Sequence, residues 1–318
     1  MAQPTNTFDT YDTTGIREDL SNVIYDVSPD ETPLLSAMAK VKATNTFHEW
    51  QTNTLRAAQN NFHVEGSDTS AAAVTPTERL GNYSQIFKGS VITSGTNDVV
   101  EAAGRTNSEM AYNILRVATE VKLDMEKALF ENVARVAGNA TTPRKLAGLG
   151  AWLKTNVVNI GGGGGANPTG NVPGATARTD GTKSVFNQAK FDQCMQSVWT
   201  SGGKPDTVYL SAFQLNKALG FVGNNNQRQN GATGSVNNNI AVYLTPWGSV
   251  EFQPVRESRS RDVWIIENDK LALATLRPMK NEALAKTGDN EHRQVVCEAT
   301  MVVRNQAALG LIADCTDS

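Results

Sequence analysis

The sequence predicts an α+β protein in which a compact part carries extended segments. Three observations favour this class. Apolar residues separated by turn-forming stretches predict strands from residue 45 to about 96. Apolar residues at steps of three and four predict one long helix from Ser108 to Ala137. After residue 184, shorter helices and strands alternate, as in a compact α/β unit.

The first 44 residues are expected to form an arm. After a polar start, apolar residues follow at helical spacing: Ile16, Leu20, Val23 and Ile24. The stretch Ser28–Glu31 is typical of a break and a fresh helix N-cap, and a second apolar segment with Leu34 comes next. Two short amphipathic segments cannot bury their apolar faces alone. They must pack on the rest of their own chain or on a neighbour.

Residues 45 to about 96 are predicted to form a long two-stranded hairpin. The first strand region extends to Phe62 and the second includes Tyr83 and Ile92. Between them lies a stretch of small and turn-forming residues, from Val64 to Pro76, which predicts a loose tip. Because an isolated hairpin is only marginally stable in water, one this long and polar is expected to need a partner surface.

The helix from Ser108 to Ala137 is the strongest local signal. One of its faces is apolar and the other is charged. At a rise of about 1.5 Å per residue it would form a rod of about 45 Å. The pair Gly138–Asn139 is expected to end it.

A Gly-rich stretch from Gly161 to Gly174 follows, and its composition predicts a surface loop or disorder. A second polar loop, rich in Asn, spans Gly223–Asn239. Residues 295–303 alternate between apolar and polar, which predicts a half-exposed antiparallel strand. The remaining predicted elements are helices at 187–199 and 211–219, and strands at 206–210, 240–244, 250–255, 263–266 and 271–276.

Composition excludes several classes of protein. The chain has 29 basic and 32 acidic residues and no basic run, so a polybasic nucleic-acid binder is disfavoured. No apolar stretch approaches the roughly 20 residues of a membrane-spanning helix, and the N-terminus lacks the features of a secretory signal. Three widely spaced cysteines favour a reduced compartment and buried thiols, with synthesis in the cytoplasm.

No motif for catalysis or phosphate binding is present, and the run of five glycines lacks the strand and helix that a phosphate loop needs. His48 and His63 fall on the predicted hairpin and could meet across its strands as a metal pair. The absence of a nearby Cys or carboxylate cluster favours surface or packing roles instead. The sequence therefore predicts no catalytic residue, no cofactor and no metal site.

Two end motifs resemble those of a known family. The segment from Tyr11 to Ser36, YDTTGIREDLSNVIYDVSPDETPLLS, is similar to the opening of one branch of tailed-phage major capsid proteins. The C-terminal region is similar to the same family's tail, in Leu276-Arg-Pro, Leu284-Ala-Lys-Thr-Gly-Asp, Arg293-Gln-Val-Val-Cys-Glu-Ala-Thr and Val303-Arg-Asn. The resemblance spans most of the chain.

This resemblance implies the Hong-Kong-97-like (HK97-like) capsid fold. Its parts map onto the chain in order. They are an N-terminal arm (1–44), an extended hairpin loop (45–100), a peripheral domain with a long spine helix and the Gly-rich insertion (101–183), an axial domain (184–270), and the last strands of the peripheral domain (271–318).

The resemblance also implies a structural protein of the virion, not an enzyme. Copies would assemble into hexamers and pentamers that form the icosahedral head of a tailed bacteriophage around double-stranded DNA. Expected partners are other copies of the chain, a portal protein, a possible separate scaffolding protein, possible cement or decoration proteins, and packaged DNA held by weak nonspecific contacts. No membrane partner is expected. The alternatives are a cytoplasmic α/β enzyme with a dimerising hairpin, or another virion component such as a tail or decoration protein.

Eight residues are candidate inter-subunit contacts. The arm contributes Ile16, Leu20, Val23 and Leu34. The hairpin region contributes Trp50, Glu65, Glu78 and Lys88. For the charged hairpin residues, an inter-subunit contact and a solvated face are equally compatible with the sequence.

Overall fold

The computed structural model describes residues 28–68, 73–100, 108–159, 163–169, 172–221 and 242–317. Arm residues Ile16, Leu20 and Val23, the first glycines of the Gly-rich stretch and the predicted Asn-rich loop lie outside these ranges. The helices are α1 (Pro33–Ala37), α2 (Gly95–Val99), α3 (Glu109–Phe130), α4 (Leu149–Trp152), α5 (Gln188–Thr200) and α6 (Ala212–Leu219). The strands are β1 (Ala39–Lys42), β2 (Phe47–Thr52), β3 (Glu78–Tyr83), β4 (Gln85–Ser94), β5 (Val157–Asn159), β6 (Thr207–Leu210), β7 (Val242–Thr245), β8 (Gly248–Pro254), β9 (Val263–Ile266), β10 (Leu271–Ala283), β11 (Asn290–Val303) and β12 (Gly310–Ala313).

The architecture is mixed α+β, as the sequence predicts. The described strands form a four-stranded sheet in the order β1-β10-β11-β4, a six-stranded sheet in the order β5-β12-β9-β6-β8-β7, and a two-stranded sheet of β2 and β3. The predicted hairpin is divided between two of these sheets. Strand β3 pairs with β2, but after Ser84 the chain continues as β4 and pairs with β11.

Strand β11 is an inner strand of the four-stranded sheet. The prediction that residues 295–303 form a half-exposed strand is wrong. Residues 295–303 are all buried, including the polar Glu298 and Thr300. Met301 packs in the same core cluster as the apolar residues of α3, whereas the adjacent Val302 packs with Ala43 and Trp50. Because successive side chains of a strand point to opposite faces, both faces of this strand are covered.

Helix α3 begins as predicted and ends earlier than predicted. The hydroxyl of Ser108 accepts the N–H of Ala111 at 3.2 Å, which caps the helix. The helix has 22 residues and stops at Phe130, so its length is about 33 Å. The pair Gly138–Asn139, predicted to end it, instead forms a turn between Val136 and Lys145, which exchange backbone hydrogen bonds at 3.0 and 3.1 Å.

Helix α1 is joined to α3 by a buried carboxylate. The helix begins at Pro33. The prediction that its N-cap lies in the stretch that starts at Ser28 is therefore wrong. The backbone N–H groups of Leu34 and Leu35 donate to the two carboxylate oxygens of Glu126 at 2.9 and 2.8 Å. Burial raises the pKa of Glu126, and the two N–H groups offset part of this rise. Glu126 therefore fixes where the arm leaves the core.

The six-stranded sheet packs with α5 and α6 around an aromatic cluster that contains Phe186, Phe191 and Phe252. The predicted helices and strands of this region are all present with small shifts in their bounds. Two strands of the sheet, β5 and β12, come from outside the predicted range 184–270. Helices in the described ranges are too short or too polar to cross a membrane.

All three cysteines are buried free thiols, as the sequence predicts. Burial raises the pKa of Cys194 to about 12, so the side chain stays a neutral thiol at physiological pH.

The described residues of the Gly-rich stretch, 163–169 and 172–174, form no helix or named strand, as expected of a loop, and the segment just after them is packed. Ala166 and Thr179 exchange backbone hydrogen bonds at 3.0 and 2.9 Å. The side chain of Arg178 is fully buried and is paired with Asp314. Arg261 also donates to Asp314, at 2.6 Å. Burial opposes ionisation of Asp314, but these hydrogen bonds hold its pKa below the usual range. Sequence composition could not show this pairing because its partners lie more than 80 residues away.

Glu126→Gln is expected to lower the free energy of unfolding by about 1–3 kcal/mol, because the amide group would face one of the two N–H donors and leave it unsatisfied. Urea denaturation of unassembled subunits measures this. Glu120→Gln, an exposed residue on the same helix, is the control and should change stability little. Equal free energies of unfolding for the two variants would contradict the role of the Glu126 carboxylate in holding the start of α1.

Candidate functional site: the hairpin and its root

The hairpin consists of β2, β3 and the loop 53–77 between them. Six residue pairs form its antiparallel ladder, from Phe47 opposite Tyr83 to Thr52 opposite Glu78. Across the ladder, the guanidinium of Arg79 donates to both carboxylate oxygens of Glu49, at 2.7 and 2.6 Å. The Arg79 guanidinium holds the pKa of Glu49 below its usual range. This pair is exposed, so it sets the geometry of the ladder more than its stability.

Trp50 ties the first strand of the hairpin to the body of the protein. Its indole N–H donates to the carbonyl of Val303 at 3.0 Å. Its ring lies 5.4 Å from the ring of the fully buried Trp152. Trp50, predicted as an inter-subunit contact, is therefore packed largely within its own chain.

The second strand is held close at Gly81. A Cβ atom at this position would lie 2.6 Å from the ring of Phe47, so only glycine fits. Arg135 donates to the carbonyl of Gly81, and its guanidinium lies 5.2 Å from the Phe47 ring centroid. This arrangement combines a hydrogen bond with a cation–π contact.

Asn82 makes the most extensive contacts at the root. It is fully buried, and its side-chain oxygen accepts the N–H of Ala147 at 2.9 Å and the N–H of Tyr83 at 3.0 Å. Its amide group donates to the carbonyl of Met301 at 3.0 Å and to that of Ala147 at 3.4 Å. One side chain therefore links the hairpin, β11 and the segment that precedes α4.

Glu298 fixes the point where the hairpin joins the four-stranded sheet. Its carboxylate accepts the hydroxyl of Ser84 at 2.7 Å, Arg144 at 2.5 Å and Arg277 at 3.1 Å. Glu298 is almost fully buried, so its charge has to be compensated by these donors. Ser84 is the residue between β3 and β4, and the three donors hold that bend in one position.

The loop of the hairpin, in contrast, presents apolar side chains to solvent. Four large apolar residues in its described part are at least 80% exposed: Leu55, Phe62, Val64 and Val74. Single exposed apolar residues are ordinary, but a concentration on one protruding segment marks an interaction surface. The root is held by buried hydrogen bonds, so the apolar loop leaves the body at a defined place.

Of the eight predicted contact residues, three are exposed, Leu34 and Trp50 are packed within their own chain, and three are not described. Ile16, Leu20 and Val23 lie outside the described residues. Leu34 is fully buried in its own core, because Glu126 draws the start of α1 onto α3, and it has no surface left for a neighbour. The exposed residues are Glu65, Glu78 and Lys88, which lie on the hairpin loop, on β3 and on β4.

Sequence reasoning missed the residues of the root, Asn82, Arg144 and Glu298. The contacts of Asn82 with Ala147 and Met301, and of Glu298 with Arg144, join residues 65 to 219 positions apart in the chain, so no local pattern contains them. The one local signal is the polar pair Asn82 and Ser84 in a segment that otherwise alternates as a strand.

The two hairpin histidines do not meet. His48 stands opposite Asn82 in the ladder, whereas His63 lies in the loop and hydrogen-bonds to Asn61 at 2.7 Å. Burial lowers the pKa of His48, which favours the neutral imidazole. Within the described ranges no group of three or more His, Cys, Asp or Glu side chains could hold a metal ion.

Comparisons with known proteins agree with this architecture. Residues 3–316 match the model of a family described as SU10 major capsid protein. The major capsid protein of Escherichia phage Phieco32 is 26% identical over 351 residues, which cover 98% of this chain and 97% of that protein. A solved Cyanophage A-1(L) capsid asymmetric unit has a TM-score of 0.69 at 12% identity, with 97% of this chain and 98% of that chain covered. The capsid of a native GTA particle has a TM-score of 0.64 at 10% identity and covers 96% of this chain and 98% of its own. The structural neighbours have the HK97-like fold, so the fold predicted from the sequence resemblance is confirmed.

Asn82→Ala is expected to lower the free energy of unfolding by about 3 kcal/mol, because it leaves buried backbone groups of Ala147 and Met301 without their partner. Urea denaturation of unassembled subunits measures the loss. Asn53→Ala, in the exposed loop of the same hairpin, is the matched control and should be close to wild type. A loss below about 1 kcal/mol for Asn82→Ala would show that the root does not depend on this side chain.

Proposed function

Because this chain belongs to the SU10 major capsid protein family and is the major capsid protein of a tailed phage, we propose that it assembles into hexamers and pentamers that close an icosahedral head around double-stranded DNA. Its place is in the capsid of the virion, and its family is a structural one. The two alternatives, an α/β enzyme and another virion component, are not favoured because the family match spans nearly the whole chain.

The observation that carries this proposal is the contrast between the root and the loop of the hairpin. The root is held by buried hydrogen bonds from Asn82 and Glu298. The loop carries apolar side chains that are almost completely exposed in the single subunit, such as Phe62 and Val74. Burying one such side chain on a neighbour contributes about 1.5–3 kcal/mol. We infer that the hairpin lies on an adjacent copy.

Contacts of this size suit a closed shell. Many modest contacts allow a wrongly placed subunit to dissociate before the shell closes, whereas one very tight interface would trap it. Glu65, Glu78 and Lys88 are proposed to contribute charged contacts around the apolar loop. Arm residues Ile16, Leu20 and Val23 are proposed to contact a neighbouring copy in the closed shell.

The domains are proposed to follow the family pattern. Residues 1–44 form the arm and 45–100 the extended loop. Residues 101–183 and 271–318 form the peripheral domain around α3. Residues 184–270 form the axial domain, to which β5 and β12 add two strands of the six-stranded sheet.

Further partners follow from the same proposal. They are a portal protein at one vertex, possible scaffolding and cement or decoration proteins, and packaged DNA. The chain has a net charge of −3, so contact with DNA should be weak and salt-sensitive. Synthesis in the cytoplasm of the bacterial host completes the proposal, and no membrane partner is included.

Expression of the full-length chain is expected to yield megadalton shells or ring-shaped capsomers. Size-exclusion chromatography and negative-stain electron microscopy detect both. A compact monomer that persists at all protein concentrations would contradict the proposal.

The double substitution Phe62→Asp and Val74→Asp is expected to abolish closed shells, because each charge would have to be buried against a neighbour. Negative-stain microscopy counts the particles. Both positions are exposed in the subunit, so its free energy of unfolding should remain close to wild type. The matched control, Phe62→Leu with Val74→Ile, keeps the loop apolar and should still form shells. Normal shells from the aspartate variant would show that the hairpin loop is not an interface.

A further inference from the structure

Helix α3 carries two apolar stripes on opposite sides. The first faces the core and includes the buried residues Met110, Val121, Met125 and Leu129. The second runs along Tyr112, Leu115, Thr119 and Leu123, at steps of three and four. At 100° per residue, the centres of the two stripes lie roughly opposite each other. A helix face that meets only water is normally polar, so a second apolar stripe indicates a second partner.

The second stripe is incompletely covered. The side chain of Leu115 is 70% exposed, although it lies in the middle of the stripe. The hydroxyl of Thr119 is bonded to the carbonyl of Leu115 at 3.1 Å, so the helix itself satisfies this polar group. Tyr112, Thr119 and Leu123 are partly buried, so Leu115 is the main apolar side chain that the stripe leaves uncovered.

This surface forms one side of a groove of 410 Å³. The other side is made by Ser28, Pro29 and Asp30, and the charged residues Arg116 and Glu120 line one flank. Ser28–Asp30 are the first described residues of the chain. The groove thus lies where the N-terminal segment joins the part of the chain that the structure describes.

The direction of the chain points into the same groove. Glu126 holds the start of α1 at Leu34, and the groove at Ser28 is lined by α3 residues as far back as Tyr112. Going backwards from Leu34 to Ser28, the chain therefore follows α3 toward the N-terminal end of the helix. Tyr112 and Glu126 are 14 positions apart, which corresponds to about 21 Å along the helix.

The predicted arm helix can reach this groove without a long linker. Ile24, its last apolar residue, is four positions from Ser28, and four extended residues span at most about 14 Å. A segment tethered this closely reaches effective concentrations in the millimolar range. In a dilute solution of separate subunits, its own groove is therefore the nearest apolar surface.

The charges of the two surfaces also fit. On the groove, Arg116 and Glu120 stand together beside the apolar stripe. On the arm helix, Arg17 and Asp19 flank the apolar face on its two sides at 100° per residue. If the Arg17 side of the arm helix meets this flank, Arg17 can pair with Glu120. If the Asp19 side meets it, Asp19 can pair with Arg116.

We propose that residues 16–25 dock as an amphipathic helix in the groove on α3 of their own chain while the subunit is unassembled. Docking buries Leu115 together with the apolar face of the arm. It keeps that face away from other copies until contacts in a growing shell exchange it onto a neighbour. The inference goes beyond the proposed function, since it concerns the separate subunit, and its test does not require shells to form.

The first test is a cross-link within the unassembled, full-length subunit. Leu20→Cys combined with Leu115→Cys is treated with a short bismaleimide at low protein concentration. The native thiols are buried, so they should not react. We expect an intramolecular cross-link, seen by mass spectrometry of tryptic peptides. The control pairs Leu20→Cys with Asp124→Cys, an exposed position on the opposite side of the same helix, and should give little product.

A covalent dimer as the main product would overturn the proposal, because it would place the arm on another copy. Equal cross-link yields for positions 115 and 124 would also overturn it, because they would show that the arm does not bind preferentially in the groove.

The second test does not depend on cysteine variants. Docking should protect Arg17 from trypsin, so Leu115→Glu is expected to speed release of the peptide that ends at Arg17 several-fold. Leu55→Glu, in the exposed hairpin loop, is the matched control and should leave this rate unchanged. Equal release from wild type and Leu115→Glu subunits would overturn the proposal.

Discussion

The buried polar contacts at the root of the hairpin are the constraint on which the rest of the structure depends. Asn82 and Glu298 satisfy backbone and side-chain groups from three separate parts of the chain. A buried polar group without a partner costs about 1–3 kcal/mol, so this network has one arrangement that satisfies all its members. The direction in which the hairpin leaves the body is therefore fixed before any partner is present.

The distribution of apolar surface fits a protein that associates with other copies of itself. Its two larger cores are fully buried and include Trp152, Trp264 and Phe191. Outside them, apolar side chains remain uncovered on the hairpin loop, and Leu115 remains uncovered on the second apolar stripe of α3. The hairpin is anchored by the buried carboxylate of Glu298, and α3 carries the buried carboxylate of Glu126, which holds the start of α1. A capsid subunit needs this combination, because a contact made on a neighbour is useful only if its position is set from within.

Local patterns correctly predicted the elements whose burial depends on residues close to them in the chain. Helices α5 and α6 and strand β6 follow from caps and apolar spacing within a few residues, and the structure has them where the sequence placed them. The end of α3 was misplaced because Gly138 serves a turn stabilised by pairing with Lys145, which a helical pattern cannot reveal. The exposure of β11 was wrong because alternation along a strand does not tell whether a second layer covers its polar face.

The sequence by itself determined the α+β class, the order of arm, hairpin, long helix and compact unit, and, through its two end motifs, the capsid family. These features depend on short-range periodicity and on residues that are contiguous in the chain. Only the tertiary structure decided how the hairpin is divided between two sheets, which polar residues fix its root, and that Leu34 belongs to the core. Each of these depends on hydrogen bonds or packing between residues far apart in the chain, and such pairings become specified only when the whole chain has folded.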